Sequence, residues 1–258
     1  MVTRETPWPQ GTPAWVDITV SDLGRSQQFY SGLFGWTFTD SSEEMGGYTN
    51  ALLDGRTVAG MSPPMPGAED AGHEWTVYLA VDDAQAAHRA LTEAGATAAF
   101  EPMEVGPFGT MAIYADPTGA VFGTWQSGEH TGWQVWQDNG AACWAEAMVS
   151  DFERGKAFYQ KAFGFEVTDM SVDGTPYGLL RLPGSAEDDG VAGIAVPEEG
   201  GPHWLITFAV PDVDATAEKA SSSGGAVAMA PFDMEYGRYA VVTGPDGEKF
   251  GLLAAAEM

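Results

Sequence analysis

A chain of 258 residues, 44% hydrophobic and 19% charged, is long enough for one large domain or two of ordinary size and apolar enough to bury real cores. Its 11 Lys and Arg against 37 Asp and Glu give a net charge of -26. That field opposes binding to nucleic acid or an anionic membrane, and suits a well-solvated surface or the attraction of cationic small molecules. No run of about 18 apolar residues suggests a membrane span, no apolar stretch follows Arg4 as in a signal peptide, and the single Cys143 excludes an internal disulfide, so a cytoplasmic location is expected.

In chain order, residues 14–20 (AWVDITV) alternate like a strand. Asp22 is placed to cap a helix whose apolar side carries Leu23, Phe29, Tyr30 and Leu33, with Gly35 to end it. Strand-like segments follow at 36–40, 47–53 and 57–62, and the stretch PPMPGAEDAG reads as a link. A second unit then has a strand at 74–81, a helix from about 83 to 94 stopped by Gly95, and strands near 97–101, 109–115 and 120–126.

The chain then repeats itself. SDLGRSQQFYSGLFGW at 21–36 returns as SDFERGKAFYQKAFGF at 150–165, an offset of 129 residues that also matches Trp15 with Trp144, Asp17 with Glu146, Tyr48 with Tyr177 and Trp75 with Trp204. After a one-residue deletion, DPTGAVFG at 116–123 aligns with GPDGEKFG at 244–251. Two long copies predict two similar domains rather than a solenoid: 1–126 and 141–258, joined by a linker at 127–140. The acidic loop PGSAEDDG at 183–190 reads as an insertion in the second copy. Phe29 and Phe158 should be equivalent and buried.

Together with D-L-x-R-x-x-x-F-Y, D-P-x-G and F-x-V-x-D at 208–212, this organisation resembles the vicinal oxygen chelate superfamily, which holds glyoxalase I, extradiol dioxygenases, fosfomycin-resistance transferases and bleomycin-resistance proteins. The resemblance implies an α+β fold of tandem duplicated domains, each of two βαβββ modules whose mixed sheet curls into a cup with helices outside. It also implies a divalent metal on His and Glu side chains inside the cup. The matching positions here are Trp15, Thr76 and Gly123 in one copy and Trp144, Leu205 and Gly251 in the other, which lack the several oxygen or nitrogen donors that a metal needs.

Strand periodicity sets Asp17, Glu74, Glu146 and His203 on the same inward face, two residues from the lost ligand positions. At ~3.3 Å per residue these displacements spread the donors too widely for a displaced metal site, and no cofactor is expected. If D-P-x-G closes a two-residue hairpin loop, one face carries Trp15, Asp17, Tyr78, Thr110, Ala112, Tyr114 and Trp125, and the other cup carries Trp144, Glu146, His203, Thr207, Arg238, Ala240 and Val242. Trp75 and Trp204 fall on the core side, His88 on a solvated helix face, and His130 in the linker.

Aromatic faces beside carboxylates suit a planar, cationic ligand. The expectation is a metal-independent small-molecule-binding protein, monomeric or homodimeric, that sequesters a metabolite or antibiotic. The alternative is a glyoxalase-like lyase or isomerase, or an oxygenase-like auxiliary of secondary metabolism, with Asp17, Glu74, Glu146 or His203 as acid/base groups.

Overall fold

The computed structural model describes residues 2–41, 46–64 and 73–256; of the expected link at 63–72, all but Pro63 and Pro64 lies outside the described residues. A short β1 (Val2–Thr3) leads into the first copy. That copy is built from β2 (Pro13–Thr19), α1 (Leu23–Phe34), β3 (Thr37–Phe38), β4 (Thr49–Leu53) and β5 (Arg56–Ser62), followed by β6 (Thr76–Ala80), α2 (Ala84–Ala94), β7 (Thr97–Val105), β8 (Gly109–Ala115) and β9 (Val121–Ser127). After β10 (Val135–Trp136), which pairs with β1, the second copy repeats the order. It runs β11 (Ala142–Met148), α3 (Phe152–Phe163), β12 (Glu166–Asp169), β13 (Tyr177–Arg181) and β14 (Gly190–Ala195), then β15 (His203–Ala209), α4 (Val213–Ser222), β16 (Ala226–Met234), β17 (Gly237–Thr243) and β18 (Lys249–Ala255).

Each copy forms one mixed eight-stranded sheet, β3-β4-β5-β2-β6-β9-β8-β7 and β12-β13-β14-β11-β15-β18-β17-β16. The two modules of a copy meet where their first strands pair antiparallel, β2 with β6 and β11 with β15. Each first strand is also paired in parallel with the last strand of its own module.

The helices start where the sequence places them. Asp22, Asp83, Asp151 and Asp212 each accept a hydrogen bond from the backbone N–H three residues on, at Arg25, Ala86, Arg154 and Ala215, which satisfies an N–H with no partner inside the helix. Gly35 ends α1 in the left-handed conformation that a residue with a Cβ resists. Between strands and helices lies a core of Val16, Ile18, Val77, Leu79 and Phe122, with Phe29 and Phe158 equally buried and Trp75 and Trp204 on the core side.

The copies finish each other's cores. Rings of α1 lie against the second sheet, Tyr30 near Phe250 and Phe34 near Phe208, while Phe122 of β9 meets Phe158 and Tyr159 of α3. Buried hydrogen bonds follow the same exchange: Tyr30 donates to Glu248 at 2.7 Å, and Tyr159 donates to Asp116 at 3.0 Å. Removing a donor to a buried acid typically costs about 1.5 to 3 kcal/mol. Tyr30→Phe should therefore lower stability by that amount, measured by urea unfolding; no change would mean that Glu248 is satisfied without it.

Candidate functional site

On the concave face of the first sheet, β2 presents Trp15 and Asp17, and the register sets Trp15 opposite Tyr78 and Asp17 opposite Thr76. The Trp15 indole N–H donates to the Tyr48 hydroxyl at 3.0 Å, and that hydroxyl donates to Asp17 at 3.4 Å. Tyr78 donates to both carboxylate oxygens of Asp17, at 3.2 and 3.1 Å. Burial pushes the Asp17 carboxyl up to about 7, against the opposing pull of the Tyr78 and Tyr48 hydrogen bonds. A carboxyl poised there can hold or release a proton near neutral pH. Gly60 makes the meeting possible, since a Cβ there would stand 1.7 Å from the Tyr48 hydroxyl.

The second cup repeats the order of groups. The Trp144 indole N–H donates to the Tyr177 hydroxyl at 3.2 Å, and Tyr177 lies beside Glu146, whose carboxyl is raised by burial. Gly193 takes the part of Gly60, a Cβ there falling 2.6 Å from the Tyr177 hydroxyl and 2.9 Å from Glu146 Cγ. Tyr78, however, is replaced by Thr207, which pairs opposite Trp144. Tyr239 of β17 leans into the space, its hydroxyl 2.7 Å from where a Gly251 Cβ would be.

Of the residues expected in the cups, Trp15, Asp17, Tyr78 and Trp125 come together in one and Trp144 and Glu146 in the other. Tyr114 and Arg238 do not. The Asp116 side chain accepts from the backbone N–H groups of Thr118, Gly119 and Ala120, so the loop runs from 116 to 120, and Ala115 pairs with Val121. This slips the register by one residue, and a one-residue slip turns every side chain to the other face. Tyr114 therefore lies opposite Phe122 on the helix side, with its hydroxyl 3.2 Å from His88 Nδ1, which also removes His88 from a purely solvated face. Thr110 and Ala112 turn with it.

The hairpin of the second copy slips equally, pairing Arg238 with Ala254 and Tyr239 with Leu253. Arg238 is thus bound to Asp214 of α4 and to Asp233, and Ala240 and Val242 face the core. Glu74 is exposed two residues before β6, and His203 Nδ1 is engaged with the Gly201 carbonyl at 2.8 Å.

The residue that sequence reasoning left in the linker is His130. The chain after β9 folds back, with Gly128 and His130 donating backbone N–H bonds to the Phe108 carbonyl. This lays the imidazole edge-on to Trp15, centroids 4.3 Å apart and planes at 89°, and beside Trp125. Burial lowers its pKa to about 4, so the ring is neutral. Tyr48 and Tyr177, matched in the repeat, were the other readable signal. A groove of about 440 Å³ between Phe152, Lys156, Val167 and Pro176 lies outside both cups, and Lys156 there is already paired with Glu153.

The ligand positions that the resemblance implies do not carry a set of metal donors. The expected ligand positions offer two indoles, two glycines, a leucine and a threonine, Gly123 being filled by the Tyr78 ring at 2.2 Å from its Cβ place. Among the described residues no group of three or more His, Cys, Asp and Glu side chains is placed to hold an ion. Nor, among those residues, is any helix long and apolar enough to cross a membrane.

The family model of the glyoxalase/bleomycin resistance protein/dioxygenase superfamily matches residues 12–123 and 143–252. The chain belongs to that superfamily. Among curated relatives it is 36% identical over 259 residues to a candidate glyoxylase, CFP32, of Mycobacterium tuberculosis (strain CDC 1551 / Oshkosh), covering 98% of both chains. It is 34% identical over 265 residues to the anthracycline biosynthesis protein DnrV of Streptomyces peucetius, covering 98% of this chain and 96% of that one. Among solved structures, the Mn(II)-bound glyoxalase from Novosphingobium aromaticivorans aligns with a TM-score of 0.67 at 17% identity, over 96% of this chain and 83% of that one. The 2,3-dioxygenase LapB from Pseudomonas sp. KL28 aligns with a TM-score of 0.64 at 15% identity, over 98% and 94%. At those identities the superfamily members share the fold.

Proposed function

We propose that the protein binds a small planar aromatic metabolite or antibiotic without a metal. The observation that carries this reading is the chain of indole, tyrosine and buried carboxyl built at the metal-ligand place in both cups, Trp15–Tyr48–Asp17 and Trp144–Tyr177–Glu146. Indole faces stack on planar rings, and a carboxyl can pair with a ligand amine. The relative named as an anthracycline biosynthesis protein supports an aromatic ligand of that class. A bound amine favours the ionised carboxyl, so binding releases a proton and affinity for a cationic ligand should rise with pH as the carboxyl's pKa is passed.

An amine-bearing anthracycline, titrated against the protein in EDTA with tryptophan emission as readout, should bind saturably, more tightly at pH 8 than at pH 6. It should be recovered unchanged by chromatography. Binding that appears only with added divalent metal would overturn the reading.

One observation favours the second reading, a glyoxalase-like lyase or isomerase, or an oxygenase-like auxiliary enzyme: Asp17, at about 7, is poised to exchange a proton at neutral pH. Recovery of an altered ligand, at a rate lost in Asp17→Asn or Glu146→Gln, would select it.

A further inference from the structure

The outermost strands β7 and β16, each from the second module of its copy, close one side of their sheets. Residues directly opposite on antiparallel strands share a face. On β7, Phe100 stands opposite Ile113 and Met103 opposite Met111, and β8 in turn sets Met111 opposite Trp125 and Ile113 opposite Gly123 on the cup face. On β16, Met229 stands opposite Val241 and Phe232 opposite Tyr239. Phe100 matches Met229 in the repeat, Met103 matches Phe232, and Met111 matches Tyr239. Both cups therefore carry an apolar outer wall.

Solvent lies against these walls: Phe100 is 51%, Met103 53% and Phe232 42% exposed. Among the described residues, every exposed Phe and Met belongs to β7, β16 or the turn after β7. Edge strands are ordinarily guarded by charge, and the opposite edge of the second sheet follows that habit, β12 setting Glu166 opposite Arg181. Each wall continues into the candidate site. Met111 leads to Trp125, which lies beside His130 and through it Trp15. Phe232 stands edge-on to Tyr239 with centroids 5.8 Å apart, and Tyr239 shares a side-chain hydrogen bond with Thr207, opposite Trp144.

An open apolar wall needs an occupant. A second copy of this chain suits it poorly, because two chains each of net charge -26 repel one another. A planar cation has the shape for the wall and the charge for the field.

We infer that the ring system of the ligand lies on these outer walls, one in each cup, and that the ligand is a fused-ring cation whose face covers Phe100 and Met103 in the first copy and Met229 and Phe232 in the second. This rests on the binding reading above and adds to it the surface that takes the rings.

The test titrates the full chain with 9-aminoacridine, a flat fused-ring cation read by its own emission. Two equivalents should bind. Met103→Ser and Phe232→Ser, both on open side chains, should each weaken one equivalent roughly fivefold, in line with the loss of a half-exposed apolar side chain. The two combined should weaken both, and Met103→Leu should keep the unmodified affinity. 9-Anthracenecarboxylate, equally flat but anionic, should bind more weakly than 9-aminoacridine, with the gap narrowing as salt is added.

No binding of 9-aminoacridine, affinity unchanged in the combined variant, or equal affinity for the anionic ring would each overturn the inference. So would a dimer that Met103→Ser or Phe232→Ser takes apart, which would give the wall to a second copy. An anthracycline that fails to bind while 9-aminoacridine responds to both substitutions would sink the anthracycline reading and leave the walls standing. An anthracycline whose affinity falls in Trp15→Phe but not in the combined wall variant would do the reverse.

Discussion

Asp17→Asn should stabilise the protein by about 2 to 4 kcal/mol at pH 8 and by much less at pH 4. The folded carboxyl sits at about 7 against an ordinary 3.8, chiefly because burial disfavours its charge. Between those values the unfolded chain gives up its proton first, so folding takes up a proton and stability falls as pH rises from about 4 to about 7. Below that window both states are protonated and no penalty remains; above it the penalty is complete. Asn keeps a carbonyl for Tyr48 and Tyr78 and cannot ionise, so its stability should lack that fall. Glu146, also raised by burial, contributes to both proteins and cancels in the difference. Urea unfolding at pH 4, 6 and 8 reads the result, and parallel curves for the two proteins would show that Asp17 ionises as an ordinary surface carboxylate.

Trp133→Ala should cost about 3 to 5 kcal/mol, the range for deleting a large buried ring. Trp133 is fully buried, stacked on Trp136 with centroids 4.8 Å apart and edge-on to Trp8, and its backbone N–H donates to the Ala14 carbonyl at 2.8 Å. It anchors the strap that carries His130, three residues before it. The substitution should therefore also loosen His130 from Trp15 and let acrylamide quench Trp15 emission, compared in a Trp15→Phe background. If the protein is destabilised while Trp15 stays shielded, the Phe108 and Pro107 carbonyls that bind the strap at 128–130 are sufficient to hold it.

The duplication, the capped helices and the core aromatics were legible because each is local or repeated: Asp22 and Asp151 lie at the same place in two copies of one phrase, and Phe29 and Phe158 follow from it. The hairpin register was not. D-P-x-G suggests a short loop, but the carboxylate of Asp116 gathers three successive N–H groups, and that one added residue moves Tyr114 and Arg238 to the other face. Long, flexible Arg238 then finds two acidic partners outside the cup. His130 was illegible for a different reason. Its place depends on backbone bonds to Phe108, 22 residues earlier in the chain, and no periodicity records such a return. The Tyr48 and Tyr177 pair could have been found, since a glycine at Gly60 and at Gly193 opens room for each hydroxyl beside its carboxyl.

The reciprocal bonds from Tyr30 to Glu248 and from Tyr159 to Asp116 bear on what the repeat means physically. Cutting the chain between its copies would strand an acid and a row of phenyl rings on each side, and neither copy carries a substitute for what the other brings. A change in the aromatic face of α1 must be accommodated by Phe208 and Phe250, more than 170 residues downstream, rather than by its own copy's equivalents. The segment that was duplicated is therefore smaller than the unit that melts, and the two copies inherit each other's mutations.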